Sequence, residues 1–182
     1  MRTVYITLVV LVSVGVLTCS NPFSPASVDP SGVKPIVRQT EPDSVLSNFK
    51  YAYEHNDIDV YENTLDKSFT FRYTDQSLAG QIETVEIPRD GPSGDIERTR
   101  LLFLYFDEIE LETWIPFFEE FEQVGTETWH VYKVYFQLSV RDVDGDFGGE
   151  SFEAVGIARF KIRKSQSDGL WRIVYWEDQS AI

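Results

Sequence analysis

From Val45 onward apolar side chains return every three or four residues: Val45, Leu46, Phe49, Ala52 and Tyr53 fall on one face of a helix. Thr40 to Asp43 has the form of a capping box, with Pro42 tolerated in the first turn. Asn56 and Asp57 interrupt the pattern and can cap a second, short helix whose apolar positions are Ile58, Tyr61 and Leu65. Then the period drops to two. Phe69, Phe71 and Tyr73 alternate with Thr70 and Arg72, the signature of a half-buried strand. Residues 74–94 are rich in turn formers, with Thr84 to Ile87 short enough for one small strand. Asp95 can cap a third helix over Ile96 to about Phe106, with Leu101, Leu102, Tyr105 and Phe106 expected to pack inward.

Beyond it, Ile109, Leu111 and Thr113 alternate with Glu108, Glu110 and Glu112, a strand with one acidic face. Trp114 to Glu127 reads as a bulge or inserted loop, because Pro116 cannot donate within a central ladder. His130, Tyr132, Val134, Phe136, Leu138 and Val140 share one parity of a long strand. After a turn through DVDGDFGG, so do Phe152, Ala154, Gly156, Ala158, Phe160 and Ile162, opposite Arg159, Lys161 and Arg163. A hairpin turn at Gln166 to Gly169 leads into a closing strand, Leu170 to Asp178. Helices followed by a meander of long antiparallel strands make an α+β plan, with helices on one face of a curved sheet.

The first forty residues follow a different pattern. Arg2 precedes an apolar run, Val4 to Leu17, that as a helix rises only about 21 Å and falls short of a bilayer core of about 30 Å. It fits the h-region of a signal peptide over residues 1–18. The next tetrapeptide, Val16 to Cys19, resembles the lipobox of bacterial lipoproteins, in which the cysteine is acylated and becomes the mature N-terminus. Thr18 departs from the Gly, Ala or Ser usual before that cysteine. Residues 19–40 carry Pro22, Pro25, Pro30 and Pro35 and no helical or strand period, which reads as an extended tether. The folded domain is expected over residues 41–182. Cys19 is the sole cysteine, so disulfides are excluded, and a net charge of −14 repels nucleic-acid backbones.

The first helix ending in FKYAYEHNDI, the short VYENTL and the following FTF, together with the closing GLWRIVYWED, resemble nuclear transport factor 2-like domains. The resemblance covers about residues 41–180. It implies a cone-shaped fold, a curved antiparallel sheet wrapped around three N-terminal helices, with a pocket at the wide end. Members include SnoaL-like and ketosteroid isomerase-like enzymes, and many exported or lipid-anchored domains without assigned chemistry. The expected lining of the cone is aromatic: Phe49, Tyr53, Phe69, Phe71, Tyr132, Phe136, Phe160 and Trp176.

Acid–base chemistry in such a cone needs an acid or base deep in apolar surroundings and a donor facing the developing oxyanion. His130 and Tyr132 have the right parity, and Tyr53 lies on the first helix; His130, however, opens its strand, where a rim position would leave it merely solvated. Asp57 and Asp59 fall at a helix start, where carboxylates cap, and no aspartate is placed inside the cone. Asp142, Asp144, Asp146 and Glu153 imitate a calcium-loop spacing, but Phe147 stands where that loop needs glycine and strands flank it, so a polar β-turn is the better reading. No metal site and no cofactor motif emerges. The eight acids between Arg100 and Lys133 could face the basic strip Arg159 to Lys164, within one chain or across a homodimer. The expectation is a lipid-anchored envelope protein with a non-catalytic domain for a small apolar ligand or a protein partner; the alternative is a small-molecule enzyme using His130 or Tyr132. Fatty-acid label should appear on the wild-type chain and vanish in Cys19→Ser; equal labelling of both, or of neither, removes the anchor.

Overall fold

A computed structural model describes residues 36–76, 82–146 and 148–179. All of them belong to one compact unit, Lys34–Ile182. The signal segment, Cys19, the tether up to residue 35 and Phe147 lie outside the described residues. Among the described residues no helix is long and apolar enough to cross a membrane.

Helix α1 (Pro42–Glu54) is followed by α2 (Ile58–Thr64), β1 (Leu65–Gln76), β2 (Ile82–Pro88), α3 (Asp95–Tyr105), and then β3 (Glu108–Val124), β4 (Glu127–Arg141), β5 (Ser151–Lys164) and β6 (Trp171–Asp178). The six strands form one curved, unclosed sheet in the order β2-β1-β6-β5-β4-β3. Every neighbouring pair is antiparallel except β1 and β6, which run parallel. Helix α1 lays Val45, Leu46, Phe49, Ala52 and Tyr53 against the concave face. That face supplies Phe69, Ile109, Leu111, Val134, Phe160, Ile162 and Ile173.

The long strands carry the parity their sequences show, and the corrections lie elsewhere. Trp114 to Glu127 is not a loop. β3 runs unbroken through it, pairing Pro116 with Val134, and turns into β4 through Gly125 and Thr126. β3 is an edge strand, so a residue without an N–H there need not break a ladder bond. Two bulges, between Leu111 and Thr113 and between Phe118 and Glu120, keep Trp114 facing inward and turn Glu120 and Glu122 outward. Gly125 has φ +61°, the left-handed conformation that a two-residue hairpin requires. In α3 the buried stripe is Ile96, Thr99 and Phe103; of the four residues expected inward, Leu102 and Phe106 pack partly buried against the core, whereas Leu101 and Tyr105 are exposed. The expected capping box is absent too. Glu41 is the N-cap of α1, with no side-chain bond to the helix, and the Thr40 hydroxyl turns back to the Arg38 carbonyl. Asp57 does cap α2, accepting from Val60 N at 3.0 Å.

Two polar devices fasten the helices. Asn56, at φ +52° between α1 and α2, donates from Nδ2 to the carbonyls of Phe103 and Phe106 and so holds the end of α3. Asparagine tolerates that backbone region because its short amide can bond locally. Ahead of α1, Asn48 pairs with both backbone groups of Val37, at 2.9 and 2.7 Å. Gln39, only 7% exposed, donates to the carbonyls of Asn63 and Trp171.

On the outer face the acidic segment meets the basic strip within a single chain. Arg159 binds Glu119 and Glu120, Lys161 binds Glu122, and Arg163 binds Glu127 and Asp66. Each exposed pair is worth little alone, but together they tie edge strand β3 across β4 to β5. Burial would raise the Asp66 carboxyl, yet the Arg163 guanidinium and the Ser68 donors outweigh it and hold it below the usual carboxylate range.

Gln39→Ala strands two partly buried carbonyls and should cost about 1–2 kcal/mol in urea unfolding, with the slope unchanged. A loss below about 0.5 kcal/mol would show that these bonds do not fasten the chain to the body.

Candidate functional site

The centre of the cone is filled. The Phe49 ring lies 5.0 to 5.6 Å from Tyr53, Tyr61, Trp114, Phe160 and Trp176, with Trp114 stacked at 14°. Trp114, which sequence reasoning placed in a loop, is the plug. The space left among these rings is about 40 Å³, with almost wholly apolar walls and room for about one water.

The expected lining residues divide accordingly. Phe49, Tyr53, Phe136, Phe160 and Trp176 wall that residual space, and Phe71 borders a separate cleft beside it. Phe69 is buried core and lines neither.

His130 and Tyr132 do come together, but at the rim of the sheet beside the start of α1. The His130 ring sits between Phe121 at 4.8 Å and Trp171 at 4.5 Å. Its burial lowers the pKa against the opposing pull of Asp43 and Glu41, so the ring is neutral at pH 7. The Tyr132 hydroxyl is pushed up to about 12, by burial first and then by its bond to the Asp43 carboxylate. It is a committed donor. Parity put both residues on the inward face, and the opening position of His130 on its strand pointed to the rim; their place at the start of β4 takes both away from either cavity.

The separate cleft, about 390 Å³, opens between α1, α3 and strands β1, β2 and β6. Phe71, Tyr73, Ile87, Leu102 and Trp176 make its apolar walls. Asp95, the first residue of α3, lines it while being only 5% exposed. Tyr61 donates to Asp95 Oδ2 at 2.5 Å. Burial raises the carboxyl to about 6, against the Tyr61 hydrogen bond and the attraction of Arg98, so it is mostly ionised at pH 7. Burial and the neighbouring negative charge hold the Tyr53 and Tyr61 hydroxyls well above their usual value. Both are therefore neutral donors gathered around one buried charge, with Thr99 completing the cluster. The sequence assigned Asp95 to the cap of α3, but the N-cap is Gly94 and Asp95 is the first helical residue, its carboxylate bonded by Tyr61. Sequence reasoning also missed that this helix start is buried. The available signal was Thr99, a polar residue on the inward stripe of α3.

A larger polar cavity, about 820 Å³, lies by α2 and the β5–β6 hairpin. Its arginines are already matched, though Lys67 also lines it: Arg89 binds Glu62, Arg163 binds Asp66, and Arg172 binds Asp168 through both carboxylate oxygens. In the β4–β5 turn Asp142 spends its carboxylate on the backbone N–H groups of Gly145 and Gly149. Glu153 stands across from Ser139 on the hairpin arm. Among the described residues no group of three or more His, Cys, Asp or Glu could hold a metal ion.

No protein-family profile matches the chain, and no curated protein does. Solved structures do. A Novosphingobium aromaticivorans protein provisionally named an aromatic ring hydroxylase superposes with a TM-score of 0.52 at 14% identity, over 82% of this chain and 92% of its own. A nuclear transport factor 2-like protein of unknown function in nutrient uptake from Rhodospirillum rubrum gives 0.50 at 12%, over 78% and 99%. The Kfla4162 protein of Kribbella flavida gives 0.52 at 10%, over 77% and 88%. Three helices seated in a curved six-stranded sheet, matched over most of the length of these structures, give this chain the nuclear transport factor 2-like fold.

Proposed function

We propose that this chain is an envelope-anchored lipoprotein whose nuclear transport factor 2-like domain binds a small, largely apolar ligand without transforming it. The observation that carries the reading is the closed cone: Phe49 and Trp114 occupy the space where a deep substrate would sit. Binding then falls to the lateral cleft, whose volume lies in the range of small-molecule sites. The anchor at Cys19 belongs to the proposal through its sequence context alone.

Trp114→Ala should open an interior cavity, cost about 3–5 kcal/mol, and let the variant take up indole beside Phe49 and Phe160. Wild type should show no indole contact to those rings in nuclear Overhauser spectra. Such contacts in wild type would mean that the cone is open and would overturn the reading.

One observation favours the enzyme alternative, and it does not involve His130 or Tyr132. Asp95 beside Tyr61 is a carboxylate with a raised pKa at the edge of an apolar space, the usual setting of a general base. A ligand recovered from deuterated buffer unchanged, with no deuterium on carbon, supports binding alone. Exchange by wild type that Asp95→Asn abolishes would replace the binding reading with acid–base catalysis.

A further inference from the structure

Asp95 carries a buried charge with no cation of its own. Among the described residues no Lys or Arg forms an ion pair with it, and its hydrogen bond comes from Tyr61. Arg98, one turn along α3, also lines the cleft and attracts the carboxylate without forming an ion pair, while its own Nε donates to the Ser93 carbonyl. Arg89, just ahead of the helix, is bound to Glu62 and Asp90. A carboxylate removed from water costs several kcal/mol unless it is matched, and one tyrosine with the α3 N-terminus offsets only part of that.

The groups around the charge point to what would match it. Tyr53 from α1 and Tyr61 from α2 are neutral donors, Thr99 shares their cluster, and β6 adds a second carboxylate to the lining, Asp178. β1 presents Phe71 stacked on Tyr73, with centroids 5.7 Å apart, and β6 brings Trp176 to 4.5 Å from Phe71; β2 adds only Ile87. Aromatic faces beside a desolvated carboxylate are the setting that favours an organic cation over a hydrated metal ion or an anion. The net charge of −14 draws cations toward the chain from a distance.

We propose that the lateral cleft binds an organic cation, with an ammonium at Asp95 and an apolar or aromatic body against Phe71, Tyr73 and Trp176. This rests on the reading of the cleft as the binding site and adds the chemical class of its ligand.

The test uses the full-length protein with two probes of similar shape, 2-phenylethylammonium and the uncharged 2-phenylethanol, by calorimetry and tryptophan fluorescence. The ammonium should bind at least tenfold more tightly than the alcohol. Asp95→Asn, which can still accept the Tyr61 hydrogen bond, should lose that tenfold for the ammonium and leave the alcohol unchanged. Should Asp95→Asn fail to fold, Tyr73→Leu leaves the carboxylate in place and should weaken the ammonium severalfold. For wild type, affinity for the ammonium should fall as pH drops from 7 to 5, because the carboxylate takes up a proton near 6 while the probe stays charged. Equal affinity for the two probes, or affinity independent of pH over that range, overturns the cation assignment and leaves the cleft as a neutral apolar site. Binding of neither probe overturns the cation assignment and the cleft reading together.

Discussion

The contact on which the molecule depends is that of Phe49 with the concave face of the sheet. A curved sheet bends its inner side chains toward a common centre, and something must occupy it, because an apolar void loses dispersion contacts on every wall. α1 delivers one ring to that centre, and rings from α2, β3, β5 and β6 close around it. Buried aromatic pairs are worth about 0.5–1.5 kcal/mol each beyond their area, so the cluster sets both the seat of α1 and the curvature it can accept. The same packing removes the interior as a place for a ligand and leaves the flank, where α3 stands off the sheet.

What the chain spells out locally was legible. β4, β5 and β6 hold their parity long enough for period two to be unmistakable, and Asp57 caps α2 as its position predicts. What depends on neighbours was not. The rule against proline in a ladder assumes a central strand, and nothing near Pro116 in sequence says that β3 is an edge. The apolar residues of α3 indicated the inward face only in part, because Leu102 and Phe106 pack against the core while Leu101 and Tyr105 remain exposed and Thr99 turns inward. The polar fastening at Gln39 and Asn48 was invisible for the same reason: its acceptors on Asn63 and Trp171 are 24 and 132 residues away.

Site residues divide along the same line. Parity told which face His130 and Tyr132 occupy but not how far along the strand the helices reach, and the two residues stand by the start of α1 rather than over a cavity. Asp95 was read as the cap of α3, but it is the first residue inside the helix and its carboxylate belongs to the buried cluster. Its environment is made by Tyr61, 34 positions earlier, and by strands that arrive from both ends of the domain. Perturbed groups of this kind are products of the assembled fold, which is why a single sequence hides them.

The buried pair of Tyr61 and Asp95 also joins the cleft to the body mechanically. α3 is held at its C-terminal end by Asn56 and at its N-terminal end by the Tyr61 hydroxyl, while much of its outer surface faces water. Both fasteners originate in or beside α2, so α3 rides on α2 rather than on the sheet. Tyr61 in turn packs on Phe49 at 5.4 Å and on Tyr53 at 5.7 Å. Any change in charge at Asp95 therefore alters a hydrogen bond anchored in the aromatic centre, not one at a loose edge. A site so mounted is preorganised: the carboxylate and its tyrosines are held by packing that the fold needs in any case, and a ligand meets groups that need little further ordering. The closed cone is thus the support on which the flank site stands.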